Sequence, residues 1–268
     1  MLLKPVSPRA RIDLSDDDAA PFDDMPRGDE LDEKLAKVTR RLGQLQDVFY
    51  ADGRHALLIV LQGRDASGKD GVVRTVFDAC NPQGVRVNSF KAPTALELSH
   101  DYLWRVHNVV PERGMVGVFN RSHYEDVLVV RVHNLVPKEI WSKRYDQINE
   151  FERGLSENGV VILKFFLHVS RDEQRKRLIE RIEDPKKNWK FKADDLDERK
   201  LWNAYSKAYR DALKKCSTEW APWYFVPADK NKARNYLIAK RIVATLEGLD
   251  LAYPEPKTDL KQYLKTLE

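Results

Sequence analysis

The residues best suited to chemistry lie in one short run, Gly63-Arg64-Asp65-Ala66-Ser67-Gly68-Lys69-Asp70. Glycine, four residues, then Gly68-Lys69 is the spacing of a phosphate-binding loop: glycines let the backbone curl so that successive N–H groups face a phosphate, and Lys69 supplies a movable cation. The loop from Gly63 through Arg64, Ala66, Ser67, Gly68 and Lys69 to Asp70 is therefore assigned to phosphate. Asp70 stands where a Ser or Thr hydroxyl usually holds Mg²⁺, and Asp65 places a carboxylate inside the loop. Carboxylates beside bound phosphates repel them unless a hard divalent cation lies between, so Asp65 is assigned to a metal. Its structural alternative is to cap loop N–H groups.

A second candidate segment is Phe119-Asn120-Arg121-Ser122-His123-Tyr124-Glu125-Asp126. Arg121 suits bracing a transferring phosphoryl group; Glu125 and Asp126 offer a second metal carboxylate or a contact to the acceptor. A helix-capping cluster is the bland alternative. His123 and His133 are solitary and read as structural. Farther on, Arg171, Arg175, Lys176, Arg177 and Arg181 punctuate one helix, and Lys186 to Lys192 follow Asp184-Pro185. Arg177 and Arg181, four apart, share a face that fits a mobile lid over phosphates, or equally a solvated basic helix. Trp189 and Phe191 among the basic residues also suit single-stranded nucleic acid, but no binding module accompanies them, so nucleic acid is disfavoured.

These residues need a scaffold that brings loop ends together. Ala56 to Leu61 is a short, continuous, branched apolar run, the mark of a buried parallel strand; Met115 to Phe119, Val160 to Leu167 and, more weakly, Trp223 to Val226 repeat it. Helical stretches are predicted at Leu31 to Phe49, Asp70 to Ala79, Leu96 to His107, Lys138 to Leu155, Arg171 to Glu183, Asp194 to Lys215 and Asn231 to Leu246. Alternating strands and helices predict an α/β fold, a parallel sheet flanked by helices on both faces. In such a sheet ligands sit at the carboxyl ends of strands, where both candidate segments fall. No internal repeat or linker divides the chain. Residues 1 to 28, rich in proline and acid, are expected to form a loosely ordered arm, and 29 to 268 one domain with its lid near 171 to 195.

Charge agrees with a phosphate ligand without selecting it. Residues 13 to 33 carry ten acids against Arg27 alone, so this segment is −9 and leaves +13 on the remainder of a chain whose formal net charge is +4. A body that basic attracts polyanions. Two cysteines far apart exclude a disulfide framework and a zinc site. No apolar run approaches the ~18 residues of a spanning helix, and the first residues lack a secretory layout, so a cytoplasmic protein without membrane attachment is expected.

Taken together, GRDASGKDG, FNRSHYED and RIEDPKKNWKF resemble the polyphosphate kinase 2 family over roughly residues 30 to 250. The resemblance implies a P-loop kinase fold with a helical lid, Mg²⁺, inorganic polyphosphate as donor, adenine nucleotides (AMP, ADP, ATP) as partners, and a cytoplasmic homo-oligomer, commonly a tetramer. It implies catalytic roles for Asp65, Lys69, Arg121 and Asp126, polyphosphate contacts for Arg177 and Arg181, and nucleotide contacts for Glu125 and Lys91. Many members carry Asp where this chain has Asn120, which moves the second metal role to Asp126. Tyr124-Glu125-Asp126 resembles the subgroup that phosphorylates AMP as well as ADP. The rivals are an ATP-dependent nucleoside monophosphate kinase and a noncatalytic P-loop regulator that binds nucleotide or RNA.

Overall fold

Five strands form one parallel sheet: β1 (Ala56–Gly63), β2 (Val85–Ser89), β3 (Val116–Asn120), β4 (Val160–His168) and β5 (Trp223–Pro227), in the order β2-β3-β1-β4-β5. The computed structural model describes residues 2–9 and 11–267. Strand β1 is central and buried along its whole length, which is why its sequence runs apolar without alternation. Its side chains still alternate between faces. Leu57, Ile59 and Leu61 join a core with the helices Gly28–Asp52, Lys69–Val76 and Asn231–Glu247. Leu58 and Val60 join the opposite core with the helices Arg144–Glu157 and Trp202–Lys215. Each such side chain is fully buried, and each contributes roughly 1.5–3 kcal/mol relative to exposure.

The register sets the site. Leu61 lies opposite Asn120 on β3 and Phe165 on β4, so the chain leaves β1 and β3 at the same edge. Gly63 to Gly68 and Arg121 to Asp126 therefore emerge side by side.

The sequence pattern missed β2. It is an edge strand paired only with β3, and Val85 to Ser89 are exposed or half-buried, so no continuous apolar run marks it. Three predicted helices are broken. The 96–107 stretch holds two short turns, Ala95–Leu98 and Trp104–His107, because Ser99 and Asp101 hydrogen-bond local backbone between them. The 138–155 stretch is interrupted at Ser142 and Lys143. The 194–215 stretch divides at Leu201 into Asp194–Lys200 and Trp202–Lys215.

The acidic arm is a clearer correction. Val6 N–H donates to the Trp223 carbonyl at 2.8 Å, Pro5 bridges Tyr224 in antiparallel sense, and Leu3, Leu14, Ala19 and Met25 are buried. Its acids face outward while isolated apolar residues anchor it one at a time. That sparse pattern is invisible to periodicity.

Candidate phosphoryl-transfer site

The loop after β1 turns sharply. Gly68 has φ 96°, and a Cβ there would lie 2.0 Å from Arg234 Nη1, so only glycine fits. Ala66 at φ 60° and Arg121 at φ 64° are non-glycine residues held left-handed, a strained conformation of the kind concentrated at working sites. Arg121 is pinned there by its N–H, which donates to the Leu61 carbonyl at 3.1 Å.

Lys69 opens the helix Lys69–Val76 and is buried. Its Nζ donates to the carbonyls of Gly63 (2.7 Å) and Arg64 (3.1 Å), bracing the loop. Burial, reinforced by the Arg121 charge, pushes its pKa down to about 8. Asp65 Oδ1 accepts from Arg121 Nη2 at 2.6 Å, and Glu125 lies 3.9 Å from Arg121 Nη1. Burial works against the Arg121 charge, but Glu125 and Asp65 outweigh it and raise its pKa. Asn120 Nδ2 donates to Asp70 Oδ1 at 2.7 Å, tying the end of β3 to the start of the loop helix. Asp65, Lys69, Asp70, Arg121 and Glu125 are thus brought together as expected.

Two cavities flank this cluster. On one side a groove of about 820 Å³ runs past Ala66, Gly68 and Asp70 beneath the helix Arg171–Glu183, with eight basic and four acidic side chains along it. On the other side a small cleft holds Asp65, Arg121 and Glu125 against Trp202, Tyr205 and Tyr209. One cavity is polycationic, the other aromatic and polar.

Several expected residues are placed elsewhere. The Arg64 side chain is not in the groove but in the wall of the cleft: its guanidinium lies 4.0 Å over the Trp202 ring and donates to Ser206 Oγ at 2.6 Å, with burial lowering its pKa to about 10. Its position in the loop says nothing of rotamer. Asp126 points away from the cleft and accepts from Arg144 Nη1 at 2.7 Å; burial raises its pKa to about 6 against the pull of Arg144. The second metal role assigned to Asp126 is not supported by this placement. Among the described residues no group of three or more acidic, histidine or cysteine side chains forms a metal cluster. Arg177 lines the groove but is occupied: it donates to the carbonyls of Ala66 (2.9 Å), Ala228 (2.8 Å) and Asp229 (2.9 Å) and pairs with Glu173. Arg181 also lines the groove and pairs with Asp195 at 2.9 Å. Lys91 is exposed, outside both cavities, its carbonyl accepting from Arg105.

Sequence reasoning overlooked Arg234, Gln62 and the aromatic wall. Arg234 is buried beneath the loop, donates to Ser67 O at 3.2 Å, and has its pKa lowered to about 9 by burial, with Arg177 adding to it. Nothing in the sequence singles it out, since the helix Asn231–Glu247 also carries Lys232, Lys240 and Arg241. Histidine expectations hold: His123 is buried against Glu152, which also meets Tyr124 and Lys164 in a closed network, and His133 pairs with Glu198.

A parallel sheet with a glycine loop, a buried loop lysine and a basic lid groove defines a P-loop phosphotransferase. The polyphosphate kinase 2 family profile matches residues 26–253. The chain is 58% identical over 226 residues (84% of this chain, 85% of the relative) to the AMP/ADP-polyphosphate phosphotransferase of Meiothermus ruber. It is 49% identical over 235 residues (83% and 81%) to the ADP-polyphosphate phosphotransferase of Rhodopseudomonas palustris. The crystal structure of polyphosphate kinase 2 from Arthrobacter aurescens TC1 superposes with TM-score 0.93 at 39% identity, covering 99% of this chain and 98% of that one. The chain belongs to the polyphosphate kinase 2 family, and is thereby a polyphosphate-dependent nucleotide kinase.

Proposed function

We propose that the protein transfers the terminal phosphoryl group of inorganic polyphosphate to AMP and to ADP, the donor chain in the basic groove and the nucleotide in the aromatic cleft. The observation that carries this is that one loop meets two cavities of unlike chemistry: Asp65 lines the cleft with Arg121, Ala66, Gly68 and Asp70 line the groove, and the buried Lys69 braces the loop from within. Phosphoryl transfer requires two polyanions aligned in line and their charge neutralised, with little covalent work by the protein. Lys69 is the cation that follows the transferring group, and Arg121 braces it from the cleft side. Glu125 and the aromatic wall address the acceptor. Similarity to a relative named for both AMP and ADP supports the dual acceptor.

A hard divalent cation fits this donor set. Asp65 offers a carboxylate inside the phosphate loop with one oxygen held by Arg121, and Mg²⁺ accepts one or two carboxylates with phosphate oxygens and water. When bound it would neutralise phosphate charge. A homo-oligomer and a cytoplasmic location are the family's expectations; among the described residues no helix is long and apolar enough to cross a membrane.

The test is to incubate the purified chain with polyphosphate, Mg²⁺ and AMP, without ATP, and to resolve nucleotides by anion exchange. ADP followed by ATP is expected. Turnover of AMP only when ATP is supplied would return the protein to the ATP-dependent kinases. Lys69→Met should lower turnover at least about a hundredfold without loss of fold, since it removes a charge felt most in the transition state; a defect confined to nucleotide KM would overturn that role.

A further inference from the structure

Gln62 breaks the apolar run of β1 one residue before the loop begins, and it is 1% exposed. By strand alternation it follows Leu58 and Val60 onto the face covered by the helices Arg144–Glu157 and Trp202–Lys215. A buried amide in a central strand is costly unless its polar atoms are matched. Here the Nε2 group is matched on both protons: it donates to Ser122 Oγ and to Glu125 Oε1, each at 3.1 Å. Turning the amide over would set a carbonyl oxygen against the Glu125 carboxylate, so the assignment is unambiguous. Ser122 is itself fixed, its Oγ accepting from Tyr124 N–H at 3.2 Å. The Gln62 Oε1 has no partner, so the side chain serves Glu125 and Ser122 alone.

The geometry has a consequence for the cleft. Glu125 is drawn two ways: Gln62 holds Oε1 at 3.1 Å, while Arg121 waits at 3.9 Å from Oε2, beyond hydrogen-bond reach. Without the amide, nothing in this set of contacts keeps the carboxylate from closing on Arg121. That closure would take Glu125 from the acceptor and mask the guanidinium that braces phosphate. We propose that Gln62 is a positioning residue for acceptor choice, holding Glu125 off Arg121 so that one carboxylate and the Nη1 group of a guanidinium already held at Nη2 by Asp65 face the nucleotide. The proposal rests on the reading of Glu125 as an acceptor contact.

The test is a double-mutant cycle of Gln62→Met, which keeps the volume and removes both donors, with Glu125→Gln. For each variant kcat/KM is measured for AMP and for ADP with polyphosphate in excess, and thermal unfolding is followed in parallel. Gln62→Met is expected to lower the AMP-to-ADP ratio about tenfold, the worth of one hydrogen bond to a charged group, and to lower it no further when Glu125→Gln is already present. Gln62→Glu fits the same space and sets two carboxylates face to face; it should lose the ratio and melt lower, and Glu125→Gln added to it should restore the melting temperature, since an amide then donates to a carboxylate again. If Glu125→Gln shifts the ratio while Gln62→Met leaves it unchanged or acts additively, the positioning role is overturned. If Glu125→Gln itself leaves the ratio unmoved, the acceptor reading of Glu125 fails and the role of Gln62 in choice fails with it.

Discussion

Lys69 shows how one residue ties burial to rate. Its ammonium is desolvated and beside Arg121, so its pKa falls from 10.5 to about 8. If Lys69 follows the phosphoryl group as proposed, that charge is present near neutrality and lost as pH rises through about 8. kcat/KM, which reports the free enzyme, should fall tenfold per pH unit above that value. Stability moves the other way. Between pH 8 and 10.5 the unfolded chain binds the proton that the folded chain has released, so this group makes the fold more stable as pH rises. An alkaline rate loss with melting temperature sustained over that window is the expected signature; a rate profile flat to pH 9.5 would remove Lys69 from the step. The spacing of Gly63, Gly68 and Lys69 was legible because a backbone curl and a cation at its end demand those types. The aim of Arg64 and of Asp126 was not, because both belong to the right segments but take rotamers set by distant partners, Trp202 and Arg144.

At the scale of elements, the helix Arg171–Glu183 was legible to its exact ends: Ser170 caps it by accepting from Glu173 N–H, and Asp184-Pro185 stops the pattern. Its role in the fold was less so. Asp229 accepts from Ser170 N–H, and Asp16 of the N-terminal arm accepts from Arg171 N–H at 3.0 Å. The lid's root is thus fastened by the arm and by the loop after β5, two segments remote in sequence. Arg177 completes this fastening by joining loop, lid and β5 exit through three carbonyls. Arg177→Lys keeps the charge but cannot reproduce a planar fork on several acceptors. It should cost about 1–3 kcal/mol through unsatisfied carbonyls, read as a lower urea midpoint at unchanged m. The contrasting outcome, full stability with KM for polyphosphate raised, would restore Arg177 to direct donor binding.

For the whole molecule the question is where the positive charge goes. The −9 of residues 13–33 runs from the lid root, where Asp16 accepts from Arg171 N–H, into the helix Gly28–Asp52, and none of it lines the groove, where eight basic side chains face four acidic ones. That β1, β3, β4 and β5 form a parallel sheet was legible because buried parallel strands are unalternated, whereas their order was not. The polarity of the two cavities was not, since Arg74, Arg175, Lys190 and Arg234 come from four separate segments that only packing gathers. If the donor chain lies there, each polyphosphate unit neutralised releases counterions, with a log–log salt slope of about 0.7 per phosphate for a flexible single-stranded polyanion. A net surplus of four cations along the groove gives a slope near 3, hence about a fiftyfold loss of polyphosphate affinity between 50 and 200 mM salt. AMP, with one phosphate and an aromatic wall to rest against, should lose only severalfold over the same range. The measurement is KM for each substrate, the other saturating, across a monovalent salt series at fixed Mg²⁺. Parallel slopes for donor and acceptor would place both in one electrostatic environment and overturn the division of the two cavities; a steep donor slope reduced by neutralising Arg175 and Lys190 together would locate the polyanion along the lid.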